Sequence, residues 1–198
     1  MNRPAGQMRR CRARFALPAV VAVLSLAVPA TPAAADLPGS TAEALSWVDS
    51  ELDANGGYLP APSSADADWG LTADAALAHI STGGATSDRS RAIADVLLDA
   101  LGQYSTWDDI GPEYPGVRLA GPLAKVLLVA RSAGLDTSDV DGVDLGAELA
   151  SLLQTSGTWA GRYSDRNPHG RDVSNGFGQA YGVLATTLLG AVPPQAVS

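Results

Sequence analysis

"DWGLTADAALAHISTGG" occupies residues 68–84. Trp69-Gly70 opens a run dominated by alanine, Asp74 is the one acid inside that run, and Gly83-Gly84 ends it. A helix with this composition has almost no charge to turn towards water. An all-round apolar helix is a buried helix, and small side chains let its neighbours come close. Two other segments are built alike. "LAGPLAKVLLVARSAG" (119–134) has Pro122 near its start and Lys125 in its middle. "SNGFGQAYGVLATTLLG" (174–190) carries no charge at all.

The three segments align on their ends. "AALAHISTG" (75–83), "VLLVARSAG" (126–134) and "GVLATTLLG" (182–190) finish on Gly83, Gly134 and Gly190, spaced 51 and 56 residues apart. On this register Asp74, Lys125 and Tyr181 share one position, and Leu123 and Gln179 share another. A repeat of this length marks a helical array.

Amphipathic segments separate the apolar ones. "SDRSRAIADVLLDALGQY" (87–104) places Ile93, Val96, Leu97, Ala100, Leu101 and Tyr104 on one face, opposite Asp88, Arg89, Arg91, Asp95 and Asp99. Ser87 reads as its N-cap. "STAEALSWVDSELDANGG" (40–57) repeats the pattern with Leu45, Val48 and Leu52, and Trp47 is expected in the core. "DGVDLGAELASLLQ" (141–154) repeats it with Leu145, Leu149, Leu152 and Leu153. A sustained alternation of β-branched residues is absent, so the expected class is all-α: three pairs of one charged-face helix and one inner helix.

Ahead of this array lies a segment of another kind. "MNRPAGQMRRCRARF" is basic, "ALPAVVAVLSLAV" is apolar, and "PATPAAAD" offers small residues at Ala33 and Ala35. This is the layout of a secretory signal peptide cleaved after Ala35, with the apolar run shorter than the ~20 residues of a spanning helix. Arg9-Arg10 lacks the following Phe of a twin-arginine signal, so ordinary export is expected, to a secreted or cell-surface location. Cys11 leaves with the leader, and residues 36–198 form one domain without thiol or disulfide. Eight basic residues then face 21 acidic ones, a net charge of −13. That balance argues against nucleic acid and anionic lipid as partners.

Gln154-Thr155-Ser156-Gly157-Thr158-Trp159 has the glutamine, spacer, glycine and aromatic of a prenyltransferase and squalene-oxidase repeat, and Asn55-Gly56-Gly57-Tyr58 matches it in part. With "DWGLTADAALA" (68–78) and "YSDRNPHGRDVSNGFGQAYGVLA" (163–185), the chain from 41 to 198 resembles the α/α-toroid superfamily of terpenoid cyclases and protein prenyltransferases, in its exported actinobacterial form. The resemblance implies inner and outer helical layers around a concave face. A complete toroid has about six helix pairs against three here, which implies an incomplete ring, either a truncated product or half of an ancestral toroid, with Pro194 in "AVPPQAVS" opening a further helix, and either self-association through open edges or poor stability.

The superfamily's catalytic sets are not matched. The zinc site of prenyltransferases uses Asp, Cys and His, and residues 36–198 hold no Cys and two His. The Asp-rich run of cyclases is missing, and Asp108, Asp109 and Glu113 in "WDDIGPE" read as a solvated loop. The superfamily also includes carriers that bind without catalysing. The expected function is therefore a non-catalytic module that binds a small ligand or protein partner, with no cofactor and no metal. The alternatives are a cyclase-like enzyme with Asp74 as acid, and a fragment without independent function.

The candidate ligand-binding residues are Asp74, Lys125, Gln179, Tyr181 and Trp69. Asp74 and Lys125 are lone charges on apolar helices, and burying an unpaired charge is costly. They either form a polar ring in a ligand cavity or a salt-bridged seam between inner helices. Asn175 or Ser174 reads as an N-cap, Gln179 as a partner for a ligand or a helix end, and Trp69 and Trp159 as packing anchors. His169 is a metal candidate with Asp165 and Asp172, in a polar loop of turn formers that does not by itself fix ligand geometry. His79 suits a helix C-terminus.

Overall fold

The computed structural model describes residues 38–190; the signal peptide expected over 1–35 and the helix start expected at Pro194 lie outside this range. The described residues are helical, with isolated bridges in place of sheet. Seven α-helices follow in order: α1 Pro38–Ala54, α2 Trp69–His79, α3 Asp88–Asp99, α4 Leu101–Ser105, α5 Ala120–Ser132, α6 Leu145–Ser151 and α7 Gly176–Leu188. None is long and apolar enough to cross a membrane.

The ends of these helices follow from local chemistry. Asp68, Ser87, Asp144 and Asn175 each accept a first-turn backbone N–H, from Leu71, Ser90, Ala147 and Gly178 respectively. Such caps satisfy donors that a helix start leaves orphaned. The aligned glycines Gly83, Gly134 and Gly190 have φ of 93°, 78° and 70°. Only glycine adopts this left-handed backbone without strain. At the end of α5, Leu135 N–H donates to Ala130 O and Gly134 N–H to Arg131 O, closing a Schellman-type turn. α2 ends differently, in a π-helical turn over Ile80–Gly84.

α5 is the central element. Every residue from Leu123 to Ala130 is buried, Lys125 included. It packs against α2, α3, α4, α6 and α7. Leu52, Ile93, Leu97, Leu127, Leu145, Leu149 and Tyr163 complete the fully buried core. Burial of each leucine contributes roughly 1.5–3 kcal/mol, and that is what holds these short helices in place.

Four sequence expectations are corrected. The segment 87–104 breaks at Ala100, whose φ/ψ of −91°/8° separates α3 from α4. The third amphipathic helix is confined to Leu145–Ser151, because Leu153 bridges to Tyr163. Trp47 is 62 % exposed, since α1 turns Val48 and Leu52 inward and leaves Trp47 beside them. Only α5 is buried all round. α2 and α7 each pack against α5 but keep another side uncovered, so Leu71, Phe177, Leu184 and Leu188 stand in solvent.

Long connections are tied down by polar groups. Glu148 accepts from Arg118 and Arg166, which are themselves bridged through their backbones. Asp165 accepts from Ala120 N–H at 2.8 Å and so caps α5, whose own flanking residue, Leu119, cannot. On α3, Arg89 binds both Asp49 and Asp53 of α1. His79 Nε2 lies 3.0 Å from the same Asp49 carboxylate but off line for a hydrogen bond, a contact of proximity only.

Candidate functional site

The first turns of α2, α5 and α7 meet around Lys125. At 6 % exposure its ammonium is out of water, and its partners come from α2 and α7. Nζ donates to Asp74 Oδ1 at 2.6 Å and to Gly70 O at 2.8 Å, and lies 5.3 Å from the centre of the Tyr181 ring. A buried unpaired ammonium costs several kcal/mol. Here a carboxylate, a carbonyl and an aromatic face together offset that cost. Asp74, Lys125 and Tyr181 are the three residues that share a register position in the repeats. The chain brings them into direct contact.

The pair is not sealed. The Asp74 side chain is 54 % exposed and opens on a cleft of about 410 Å³. Tyr104, Asn175, Phe177 and Tyr181 line it with Asp74 and Lys125, over a floor made by Gly121 and Gly178. That floor depends on glycine: a Cβ on Gly178 would stand 2.9 Å from the Gly121 Cα. α5 and α7 therefore cross with backbones nearly touching. The volume falls within the range of about 300–1,000 Å³ typical of small-molecule sites.

The lining is chemically mixed. Tyr104 leans over Gly70, whose missing Cβ leaves room for the phenol oxygen. Burial pushes the Tyr104 hydroxyl up to about 12, with the charges of Asp74 and Asp68 and the neighbouring Tyr181 adding to the shift. It is thus a neutral hydroxyl throughout the physiological range. Asn175 spends its carbonyl oxygen on Gly178 N–H at 3.0 Å, which directs its amide nitrogen elsewhere. Phe177 is 78 % exposed and stands at the mouth. Lys125 is already committed, so a free cation is not presented to a ligand. Among the described residues, no hydrogen bond engages the second Asp74 oxygen, the Asn175 amide nitrogen or the hydroxyls of Tyr104 and Tyr181, and Phe177 adds a phenyl ring to the lining.

Two of the sequence candidates lie elsewhere. Gln179 does not line the cleft. Its Oε1 accepts from Tyr163 N–H at 2.8 Å and its Nε2 donates to Tyr163 O at 2.6 Å, so its amide acts as a two-point clamp. Trp69 is half-buried edge-on against Tyr58, with ring centres 5.7 Å apart. Trp159 is 62 % exposed and stacks under Arg162.

Besides Gly121, Pro122 and Gly178, the lining residues Tyr104, Asn175 and Phe177 escaped the sequence reading as site residues. Phe177 had a legible signal. It occupies the register position of Gly70 and Gly121, an aromatic where the other repeats have no side chain.

Among the described residues, no group of three His, Cys, Asp or Glu is placed to hold a metal ion. Asp165 accepts two backbone N–H groups, from Ala120 and Val173, and Asp172 pairs with Arg162. His169 reaches Pro115 O and stacks edge-on with Tyr114. Burial raises the Asp165 carboxyl above its usual range, where the Ala120 and Val173 bonds only partly oppose it. For Asp172 burial pulls upward too, but the bonds from Ser174 and Asp165 and the charge of Arg162 win and lower it.

A scan of family models finds no match to this chain, and searches of curated proteins and of solved structures find none either.

Proposed function

We propose that this chain is an exported, non-catalytic module of the α/α-toroid type, with about three helix pairs, that binds a small neutral ligand rich in hydroxyl groups in the Lys125 cleft. The observation that carries the reading is the meeting of Asp74, Lys125 and Tyr181, one from each repeat, at an open cleft. Repeats that served only packing would have no reason to leave an ion pair half in solvent. A paired charge next to hydroxyls and an exposed ring suits a ligand with hydroxyl edges and a C–H face.

An enzyme of the cyclase kind would need a second acid opposite Asp74. Among the described residues Asp74 is the one carboxylate in the lining, and it is engaged by Lys125. The geometry therefore favours binding over acid catalysis.

Saturation-transfer NMR on the purified protein tests this, with glucose, maltose and myo-inositol as probes. At least one should receive saturation, and the effect should vanish in Phe177→Ala but survive in Trp159→Ala. No transfer to any probe, or transfer unaffected by Phe177→Ala, would overturn the reading.

A further inference from the structure

A second groove adjoins the cleft. It has a volume of about 480 Å³ and runs between α1, α2 and the loop at 59–62, walled by Trp47, Val48, Leu59, Pro60, Leu71 and Ala78. Among the described residues Glu51 and Asp74 are its only charged members. Asp74 thus belongs to both cavities. Helical geometry explains why. At 3.6 residues per turn, Leu71, Ala75 and Ala78 form a stripe along α2 with Asp74 at its edge, and Gly70 lies just beyond Asp74 on the cleft side. A polar cavity and an apolar one therefore lie side by side across a single residue.

We propose that the two cavities hold one ligand: a neutral amphiphile whose hydroxylated head occupies the cleft and whose alkyl chain crosses Asp74 into the groove. The inference rests on the binding function proposed above and names the ligand class. The groove's walls are almost entirely carbon, which suits a chain of methylenes. A peptide strand laid there would lose hydration from its backbone groups without finding partners. Glu51 and Asp74 disfavour an anionic head such as a carboxylate or sulfate. Lys125 is too fully engaged by Asp74 and Gly70 to reverse that preference. Trp47 at 62 % exposure and Leu71 at 40 % are the sort of unpaired apolar surface such a chain would cover.

Calorimetric titration of the whole purified protein decides it, with octyl glucoside, decyl glucoside and octyl sulfate below their micellar thresholds and glucose for comparison. Octyl glucoside should bind more tightly than glucose. Two further methylenes should strengthen binding on the order of tenfold. Leu71→Glu should abolish this chain-length gain, and Trp47→Ala should reduce it; both sites are exposed enough for the variants to fold. Phe177→Ala should weaken both glucosides.

Glucose and octyl glucoside binding equally, octyl sulfate binding as well as the glucoside, or a chain-length gain that survives Leu71→Glu would each overturn the amphiphile and leave the cleft's own function standing. Alkyl chains that bind regardless of head and of Phe177→Ala would overturn both. A concentration-dependent dimer that closes the groove, and dissociates in Leu71→Glu, would assign the groove to a second copy and overturn the inference.

Discussion

Lys125 Nζ lies 2.6 Å from Asp74 Oδ1, but the two partners live in different environments: the lysine side chain is 7 % exposed and the aspartate 54 %. The pair is therefore asymmetric in what its loss costs.

Asp74→Asn leaves a buried ammonium with neutral partners alone, the new amide oxygen, the Gly70 carbonyl and a ring face. Lys125→Met replaces that ammonium by an apolar chain and leaves Asp74 free to hydrate. The aspartate variant should lose about 1–2 kcal/mol, discounted for its exposure, and the methionine variant less. Urea unfolding of both proteins checks the order, and the reverse order would remove the asymmetry argument.

Glycines at helix crossings should be intolerant in a graded way. A Cβ at Gly182 would come within 2.5 Å of Tyr163 Cδ2, one at Gly178 within 2.9 Å of Gly121 Cα, and one at Gly176 would meet nothing within 4 Å. Gly182→Ala and Gly178→Ala should each cost about 1–3 kcal/mol. Gly176→Ala should be neutral or stabilise by up to about 1 kcal/mol, through the unfolded chain. Thermal midpoints of the three variants read this directly.

The amide of Gln179 binds both the N–H and the C=O of Tyr163. Gln179→Leu should cost about 2 kcal/mol, near 1 for each bond lost. Gln179→Glu keeps the acceptor but sets a carboxylate oxygen against Tyr163 O, so at neutral pH it should cost at least as much as Gln179→Leu. If chemical denaturation shows Gln179→Leu to be as stable as the unsubstituted protein, the clamp has no energetic weight.

Tyr104 sets a pH window. Its folded value is raised to about 12, with burial as the first cause, against about 10 for a free phenol. A raised value means that its contribution to stability is complete below pH ~10 and is lost as the pH climbs towards 12. Absorbance titration of phenolate should show a late component that is missing from Tyr104→Phe. The substituted protein should also lose less stability between pH 10 and 12. A titration curve that Tyr104→Phe leaves unchanged above pH ~10 would contradict the burial.

The helices were legible because their causes are local. Ser87 caps α3, the aligned glycines take positive φ at the ends of their segments, and Ile93 and Leu97 recur on one face. The shared register of Asp74, Lys125 and Tyr181 was legible for a similar reason: repeats built alike place equivalent residues at equivalent heights. The break at Ala100 was not, since nothing in "VLLDALGQY" demands it. Nor was the fate of Gln179, which is decided by Tyr163, 16 residues away. Trp47 and Phe177 misled or escaped because exposure depends on which helices have neighbours, and periodicity cannot count neighbours.

By itself the sequence determined an all-α chain of three charged-face and three apolar helical segments, with equivalent positions marked by Gly83, Gly134 and Gly190. Those features rest on backbone sterics and on the 3.6-residue period, which act within a few residues. Tertiary structure alone decided that Asp74 and Lys125 are both an ion pair and the wall of a cleft. It did so by letting α5 and α7 touch at Gly121 and Gly178 while leaving α2 open on its outer side, a balance of long-range packing that no local pattern encodes.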